Sequence, residues 1–352
     1  MNDLPPPRSD ILNLKSYIAG AQINDTIRLN ANEAPAAAGD TGLNRYPEVR
    51  PLALRNRLAS LFDVPAENLL VTRGTSEAID ILMRTWCKAY RDTIVTTPPT
   101  FDMYRLYANI QGIDILEAPL LGDNFSFDVS AILSACGSGS KLVFLCSPNN
   151  PTGSQISQSD LAKIIEATKG RSIIVLDEAY IEFSERGSFA KLALQHNNLV
   201  VLRTLSKAHG LAGVRCGAAI ASEAVINILS KVLPPYSFPT PAIQTVLDIL
   251  SDKHLQESAA IVASVVSERA RVSAHLEKLD CTTFCWPSEA NFILVHFSNL
   301  KMILSHLAER KILIREFSDK PELKNCARIT IGLKEQNDAL INALEDFVER
   351  AK

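Results

Sequence analysis

Lys207 closes a short segment, Thr204-Leu205-Ser206-Lys207, that follows an apolar run. Behind it come an uncharged, glycine-containing stretch, His209-Gly210-Leu211-Ala212-Gly213, and then Arg215. A lysine taken at random is a solvated surface charge. One held among neutral residues beside a second cation loses its proton more easily, and a free amine of that kind attacks aldehydes. Ser206 and Arg215 are suited to hold a phosphate ester next to it.

Thirty positions before Lys207, Asp177-Glu178-Ala179-Tyr180 ends another apolar run. Alone it reads as a strand-end turn with solvated carboxylates. Together with Lys207 it fits a different chemistry. A buried carboxylate facing a pyridinium nitrogen keeps that nitrogen protonated, and the charged ring then accepts electrons from a substrate carbanion. Two further loops have the right character. In Ser147-Pro148-Asn149-Asn150-Pro151-Thr152-Gly153 the prolines and glycine fix an irregular turn, and one of the adjacent asparagines can donate to a ring oxygen. In Arg73-Gly74-Thr75-Ser76-Glu77 the glycine admits a ligand to the backbone, and the amides of a following helix bind anions. A capping box with Ser76 as N-cap explains the same residues equally well.

These clusters need a scaffold that brings strand ends together. Apolar runs at 69–72, 93–97, 113–117, 141–146, 173–177, 200–203 and 216–221 are mostly separated by helix-length segments, which predicts an α/β domain with a largely parallel, seven-stranded sheet. Ligands of open α/β sheets sit beyond the carboxyl ends of the strands, where several of the polar clusters fall. Residues 1–44 read as an extended arm, 45–235 as the large domain and 236–352 as a smaller α+β domain. The last opens with a helix over about 240–278, continues through short strands at 291–296, 312–315 and 328–331, and ends in a helix from about Glu335.

Composition narrows the function classes. The 352 residues are 47% hydrophobic and 21% charged, with a net charge of −3, as in an ordinary soluble protein without the basic stripe of a nucleic-acid binder. The seven cysteines are odd in number and lack C-x-x-C spacing, so reduced buried thiols are expected rather than disulfides or a metal site. Residues 1–10 hold no apolar signal core, and no apolar run reaches membrane-spanning length. A cytoplasmic enzyme that contacts neither nucleic acid nor membrane fits this.

Nearly end to end, the chain resembles the fold-type I pyridoxal-phosphate (PLP) aminotransferases, and within them the histidinol-phosphate aminotransferase subfamily. The likeness is carried by Leu29-Asn30-Ala31-Asn32-Glu33, Asn44-Arg45-Tyr46-Pro47-Glu48, the Ser147–Gly153 and Asp177–Tyr180 segments, Ser206-Lys207, Gly210-Leu211-Ala212-Gly213-Val214-Arg215-Cys216-Gly217 and Arg328-Ile329-Thr330. The resemblance implies PLP linked to Lys207, which would also move the substrate proton. Asp177 would face the pyridine nitrogen. Asn149 and Tyr180 would bond the phenolic oxygen, with Asn149 also near the substrate. Tyr104 would stack on the ring. Ser206, Arg215 and the amides near Thr75 and Ser76 would hold the phosphate. Tyr46 would reach the cofactor of the second subunit in a homodimer. Arg315 and Arg328 would grip the anionic end of the substrate, with Tyr17 nearby. The reaction implied joins L-histidinol phosphate and 2-oxoglutarate to imidazole-acetol phosphate and L-glutamate. A phosphorylated-amino-acid decarboxylase and an aromatic-amino-acid aminotransferase share the scaffold. A non-catalytic PLP-binding regulator would need a DNA-binding module, for which the residues before Tyr46 leave no room. The chain departs from many relatives at His209, where bulky residues are common, and at Ile18-Ala19-Gly20-Ala21, which lacks basic side chains.

Overall fold

The computed structural model describes residues 3–15, 17–23, 26–39, 41–137 and 139–351. Seven short runs rich in Val, Ile and Leu form the larger sheet: β1 (Leu69–Thr72), β2 (Thr93–Thr96), β3 (Asp114–Glu117), β4 (Leu142–Cys146), β5 (Ile173–Asp177), β6 (Leu199–Thr204) and β7 (Gly217–Ile220). Their order is β1-β7-β6-β5-β4-β2-β3. The run from β6 to β3 is parallel, whereas β7 is antiparallel to both neighbours. Every residue of β4, β5 and β6 is buried, as required of central strands covered on both faces.

Alternation along these strands divides the core. Ile173 and Val175 point to one face, where they meet α3 (Gly74–Trp86), α4 (Met103–Ile110) and α8 (Glu223–Val232). Ile174 and Leu176 point to the other, against α2 (Leu52–Phe62), α5 (Val129–Gly137), α6 (Gln158–Thr168) and α7 (Ala190–Ala193). Before them the arm forms one short helix, α1 (Ser9–Leu12), and its Pro5 carbonyl accepts the indole N–H of buried Trp86 at 3.1 Å.

The second sheet is antiparallel throughout, in the order β10-β11-β9-β8, from β8 (Thr282–Cys285), β9 (Phe292–Phe297), β10 (Arg315–Glu316) and β11 (Cys326–Thr330). It packs on α10 (Asp252–Leu276), α11 (Leu300–Glu309) and α12 (Lys334–Ala351). β8 escapes sequence reading because its Thr-Thr-Phe-Cys pattern is short and half exposed. β10 is only two residues long, shorter than the apolar run at 312–315 suggests.

The single long helix expected over 240–278 is two, α9 (Thr240–Ile249) and α10. The break has a tertiary cause. The Leu250 carbonyl accepts Arg57 Nε at 2.7 Å, and Ser251 takes an extended conformation to start the next helix. Phe238, Val246 and Leu250 thereby join the cluster around Leu54 and Leu58, while Val272 and Leu276 join that of Ile293 and Val295. All seven cysteines are buried and free, and among the described residues no helix is long and apolar enough to cross a membrane.

Candidate active site

Three parallel strands end side by side, and their last residues face one cavity. In register, Cys146 of β4 pairs with Asp177 of β5, and Asp177 with Leu202 of β6. The loops that follow deliver Asn150, Tyr180, Ser206 and Lys207, and α3 adds Thr75 and Ser76. Phe101 and Arg215 complete this side, and Arg328 enters from β11 of the second sheet.

Asp177 is 2% exposed. Its Oδ2 accepts the Tyr104 hydroxyl at 2.8 Å and its Oδ1 accepts the Ala179 amide at 3.2 Å. Burial pushes its pKa up to about 6, against the opposing pull of these two donors and of the Lys207 cation. Lys207 Nζ lies 5.5 Å from the centroid of the Tyr180 ring and makes no ion pair among the described residues. Burial lowers its pKa, and the Arg328 and Arg215 cations lower it further, so a larger share is free amine near neutrality. The Tyr180 hydroxyl is kept protonated by burial and accepts Asn150 Nδ2 at 3.3 Å.

One end of the cavity is lined by groups that suit an anion. Arg215 reaches the Ser206 hydroxyl at 3.5 Å and the Ala212 carbonyl at 3.1 Å, with no carboxylate partner among the described residues. It turns beneath the start of α3, where Gly74 has φ +75° and a Cβ would stand 3.0 Å from Arg215 Nη2. The helix begins at Gly74 after Arg73, whose side chain does not cap it; Glu77 reaches back to the Arg73 amide at 2.7 Å, and no side chain among the described residues bonds the amides of Gly74, Thr75 or Ser76. The capping reading of Ser76 therefore fails, and the first-turn amides remain open to a ligand.

The opposite end holds Arg328, directly across the ladder from Arg315. Like charges directly opposed in an antiparallel pair repel. Neither arginine has a carboxylate partner among the described residues. The Arg328 guanidinium lies 5.2 Å from the Phe292 ring and 5.6 Å from Phe317, that of Arg315 lies 5.8 Å from Phe317, and Arg328 donates to Asn150 Oδ1. An anion placed here would relieve the repulsion.

Lys207, Asp177, Tyr180, Thr75, Ser76, Ser206, Arg215 and Arg328 are thus brought together as the sequence predicts. Two expected roles are corrected. Asn149 is wholly buried and turned away: its Oδ1 accepts the Thr100 hydroxyl at 2.7 Å, and its Nδ2 donates to Pro99 O at 2.9 Å and Thr152 Oγ1 at 2.8 Å. No donor is left for a cofactor or substrate, and Asn150 is the residue that faces the cavity. Tyr104 is also wholly buried, stacked on Phe144 at 4.8 Å, and cannot lie on a ring in the cavity. Phe101, three residues earlier, is the aromatic that lines it. Its place directly after Pro98-Pro99-Thr100 was the available signal.

Arg315, Tyr17 and Tyr46 lie outside the cavity lining. Tyr46 stacks on Tyr236 at 4.7 Å and Tyr17 meets Tyr236 edge-on at 6.3 Å. They are 51% and 61% exposed, Tyr17 in the arm and Tyr46 just after it, and the arm also bares Ile18, Ile27 and Leu29. The Tyr46 segment is held by Glu33, which accepts its amide at 2.8 Å and pairs with Arg28 and Arg45.

The PLP implied by the resemblance fits these residues. An unneutralised Arg215 beside open helix amides suits its phosphate. A buried carboxylate suits its ring nitrogen, and an unpaired lysine suits its aldehyde.

Comparison with known proteins agrees with this reading of the geometry. The profile of the family described as aminotransferase class I and II matches residues 9–344. A histidinol-phosphate aminotransferase of Buchnera aphidicola subsp. Schlechtendalia chinensis is 39% identical over 344 residues, 96% of each chain. A solved structure from Erwinia carotovora atroseptica superposes with a TM-score of 0.78 at 27% identity, covering 88% of this chain and 89% of that one. A histidinol-phosphate aminotransferase of Sinorhizobium meliloti, solved in complex with pyridoxal-5'-phosphate, has the same fold, with a TM-score of 0.78 at 22% identity over 88% and 84% of the two chains.

The two asparagines separate in a simple experiment. Asn149→Ala removes three buried hydrogen bonds and is expected to cost about 2–3 kcal/mol of stability. Asn150→Ala, at the cavity wall, removes two and is expected to cost less, about 1–2 kcal/mol. Urea denaturation of both variants checks this, and equal losses would contradict the division.

Proposed function

The chain belongs to the class I and II aminotransferases, and from that premise we propose that it moves an amino group between L-histidinol phosphate and 2-oxoglutarate, giving imidazole-acetol phosphate and L-glutamate. One observation carries the chemistry: an unpaired lysine faces a buried carboxylate across a cavity with an anion seat at one end and an arginine at the other. The narrower substrate rests on the 39% identity to a histidinol-phosphate aminotransferase and on the two unneutralised arginines.

PLP, when bound, supplies a ring that takes up the electron pair left by the departing α-proton. The side chains do the rest. Lys207 is the amine that would hold the cofactor aldehyde, and as a free amine it would take up the substrate α-proton and give it back. Its lowered pKa leaves it able to accept that proton. Asp177 keeps a proton on the ring nitrogen. Asn150 and Tyr180 offer donors to the ring oxygen, and Phe101 is the aromatic wall. Ser206, Arg215 and the α3 amides at Thr75 and Ser76 hold the phosphate. Arg328, supported by Arg315, takes the substrate phosphate in one half-reaction and a carboxylate of glutamate in the other, because a guanidinium offers forked donors to either anion.

The direct test is turnover of histidinol phosphate with 2-oxoglutarate against turnover of phenylalanine, with carbon dioxide measured alongside. Preference for phenylalanine, or release of carbon dioxide without a keto acid, would overturn the proposal. Lys207→Ala is expected to abolish transamination and also the fixing of PLP to the chain by borohydride. Persistent fixing would mean that another lysine forms the link.

Losing one arm of a buried charge contact costs on the order of 2–5 kcal/mol, so Arg328→Ala is expected to weaken histidinol phosphate by that amount. Histidinol, which lacks the phosphate, should suffer far less. Arg315→Ala should act in the same sense but more weakly, since Arg315 is exposed and outside the cavity wall. Kinetics with both substrates decide it, and equal losses on the two would show that the arginines do not read the phosphate.

The proposed enzyme is a cytoplasmic homodimer, the location being open to test by cell fractionation. The exposed arm with Tyr17, followed at once by Tyr46 and separate from its own chain's cavity, supports sites shared between two subunits. Mixing Tyr46→Phe with Lys207→Ala chains should produce hybrid dimers in which one site carries both defects and the other neither. Activity should then rise above either parent, and no rise on subunit exchange would count against a shared site.

A further inference from the structure

We propose that Tyr104 is a positioning residue for the reaction: its hydroxyl fixes the Asp177 carboxylate and holds it in its charged form. The inference rests on the cofactor reading above, in which a charged Asp177 keeps the ring nitrogen protonated.

Tyr104 is wholly buried, and its hydroxyl donates to Asp177 Oδ2 at 2.8 Å. The ring has little freedom to swing. It stacks on Phe144 with centroids 4.8 Å apart and planes 19° apart, and Phe101 meets it edge-on at 5.6 Å. The phenol keeps its proton, because burial and the nearby carboxylate both oppose its ionisation. It is therefore a permanent donor. With the Ala179 amide on Oδ1 at 3.2 Å, each carboxylate oxygen has one fixed donor, and the plane of the carboxylate is set from two sides.

The bond also bears on charge. A carboxylate this deeply buried tends towards its neutral form. The groups facing it are Tyr104 from α4, Cys146 from β4, Lys207 from the loop after β6, and Tyr180 from its own loop. Burial keeps the Cys146 thiol and the Tyr180 phenol neutral near pH 7. Among the described residues Lys207 is the charge that acts on Asp177, and its own pKa is lowered. A hydrogen bond to the charged form, beside that of the Ala179 amide, then favours ionised Asp177 when Lys207 is free amine and no longer balances its charge. Phe101 lines the cavity, while Tyr104 sits behind it against the carboxylate, so α4 and the turn before it serve both the face and the nitrogen edge of the site.

The experiment uses the full chain. Infrared titration of the cofactor-free protein follows the carboxyl band that disappears in Asp177→Asn. Tyr104→Phe, which keeps the ring packing, is expected to move that titration up by about one pH unit, the size of one hydrogen bond to a charged group. Fluorotyrosine at position 104, a stronger donor in an unchanged fold, is expected to move it down. In the PLP-loaded enzyme the acid limb of kcat should rise with the Tyr104→Phe shift while KM for the amino donor changes little. Tyr107→Phe, on the same helix, should move neither. An Asp177 titration unmoved by Tyr104→Phe and by fluorotyrosine overturns the inference. A chain that takes up no PLP would instead overturn the function proposed above, and the cofactor-free titration would still decide the role of Tyr104.

Discussion

A carboxylate at the end of a central strand, closed off from water, is costly to ionise. Asp177 is 2% exposed at the tip of β5, between two strands buried at every position. The site around it meets that cost with specific partners. A phenol and a backbone amide hold its two oxygens, and a lysine across the cavity supplies the balancing charge. Lys207 feels the reverse of the same arrangement. Burial and two neighbouring arginines disfavour its proton, while Asp177 favours it. Each group is tuned by the other, and both depend on the parallel strands β5 and β6 ending together.

Anions are handled at the two ends by different physics. At the proposed phosphate seat the available donors are backbone amides of α3 with Arg215 and Ser206, and Gly74 lets the guanidinium lie against the helix start. At the substrate end two arginines from adjacent strands oppose each other without a carboxylate partner, next to the rings of Phe317 and Phe292. That arrangement is unfavourable without an anion, which is the physical basis for the selectivity proposed for a substrate with negative charge at that end. The second sheet contributes this wall, so the site is complete only when both sheets are in place.

Much of the architecture was legible in the chain. Runs of aliphatic residues marked all seven strands of the large sheet to within two residues, most clearly the central ones, which must be apolar on both faces. The break between α9 and α10 was not legible, since it depends on Arg57 reaching the Leu250 carbonyl from a distant helix. β8 was too short and too exposed to carry a pattern.

For the site itself, the sequence determined the kinds of group present and their order. Motif spacing named the lysine, the carboxylate thirty residues before it and a glycine loop suited to an anion, and the family resemblance named the two arginines. The tertiary structure decided which neighbour in a motif faces the ligand. Asn149 and Asn150 are chemically identical, and only the path of the turn shows that the first is tied to Thr100, Pro99 and Thr152 while the second opens on the cavity. Phe101 and Tyr104 are both aromatic, and only packing puts one on the cavity wall and the other behind it, on Asp177. The physical reason is the same in both cases: composition fixes what a side chain can bond, but backbone direction and burial fix what it meets.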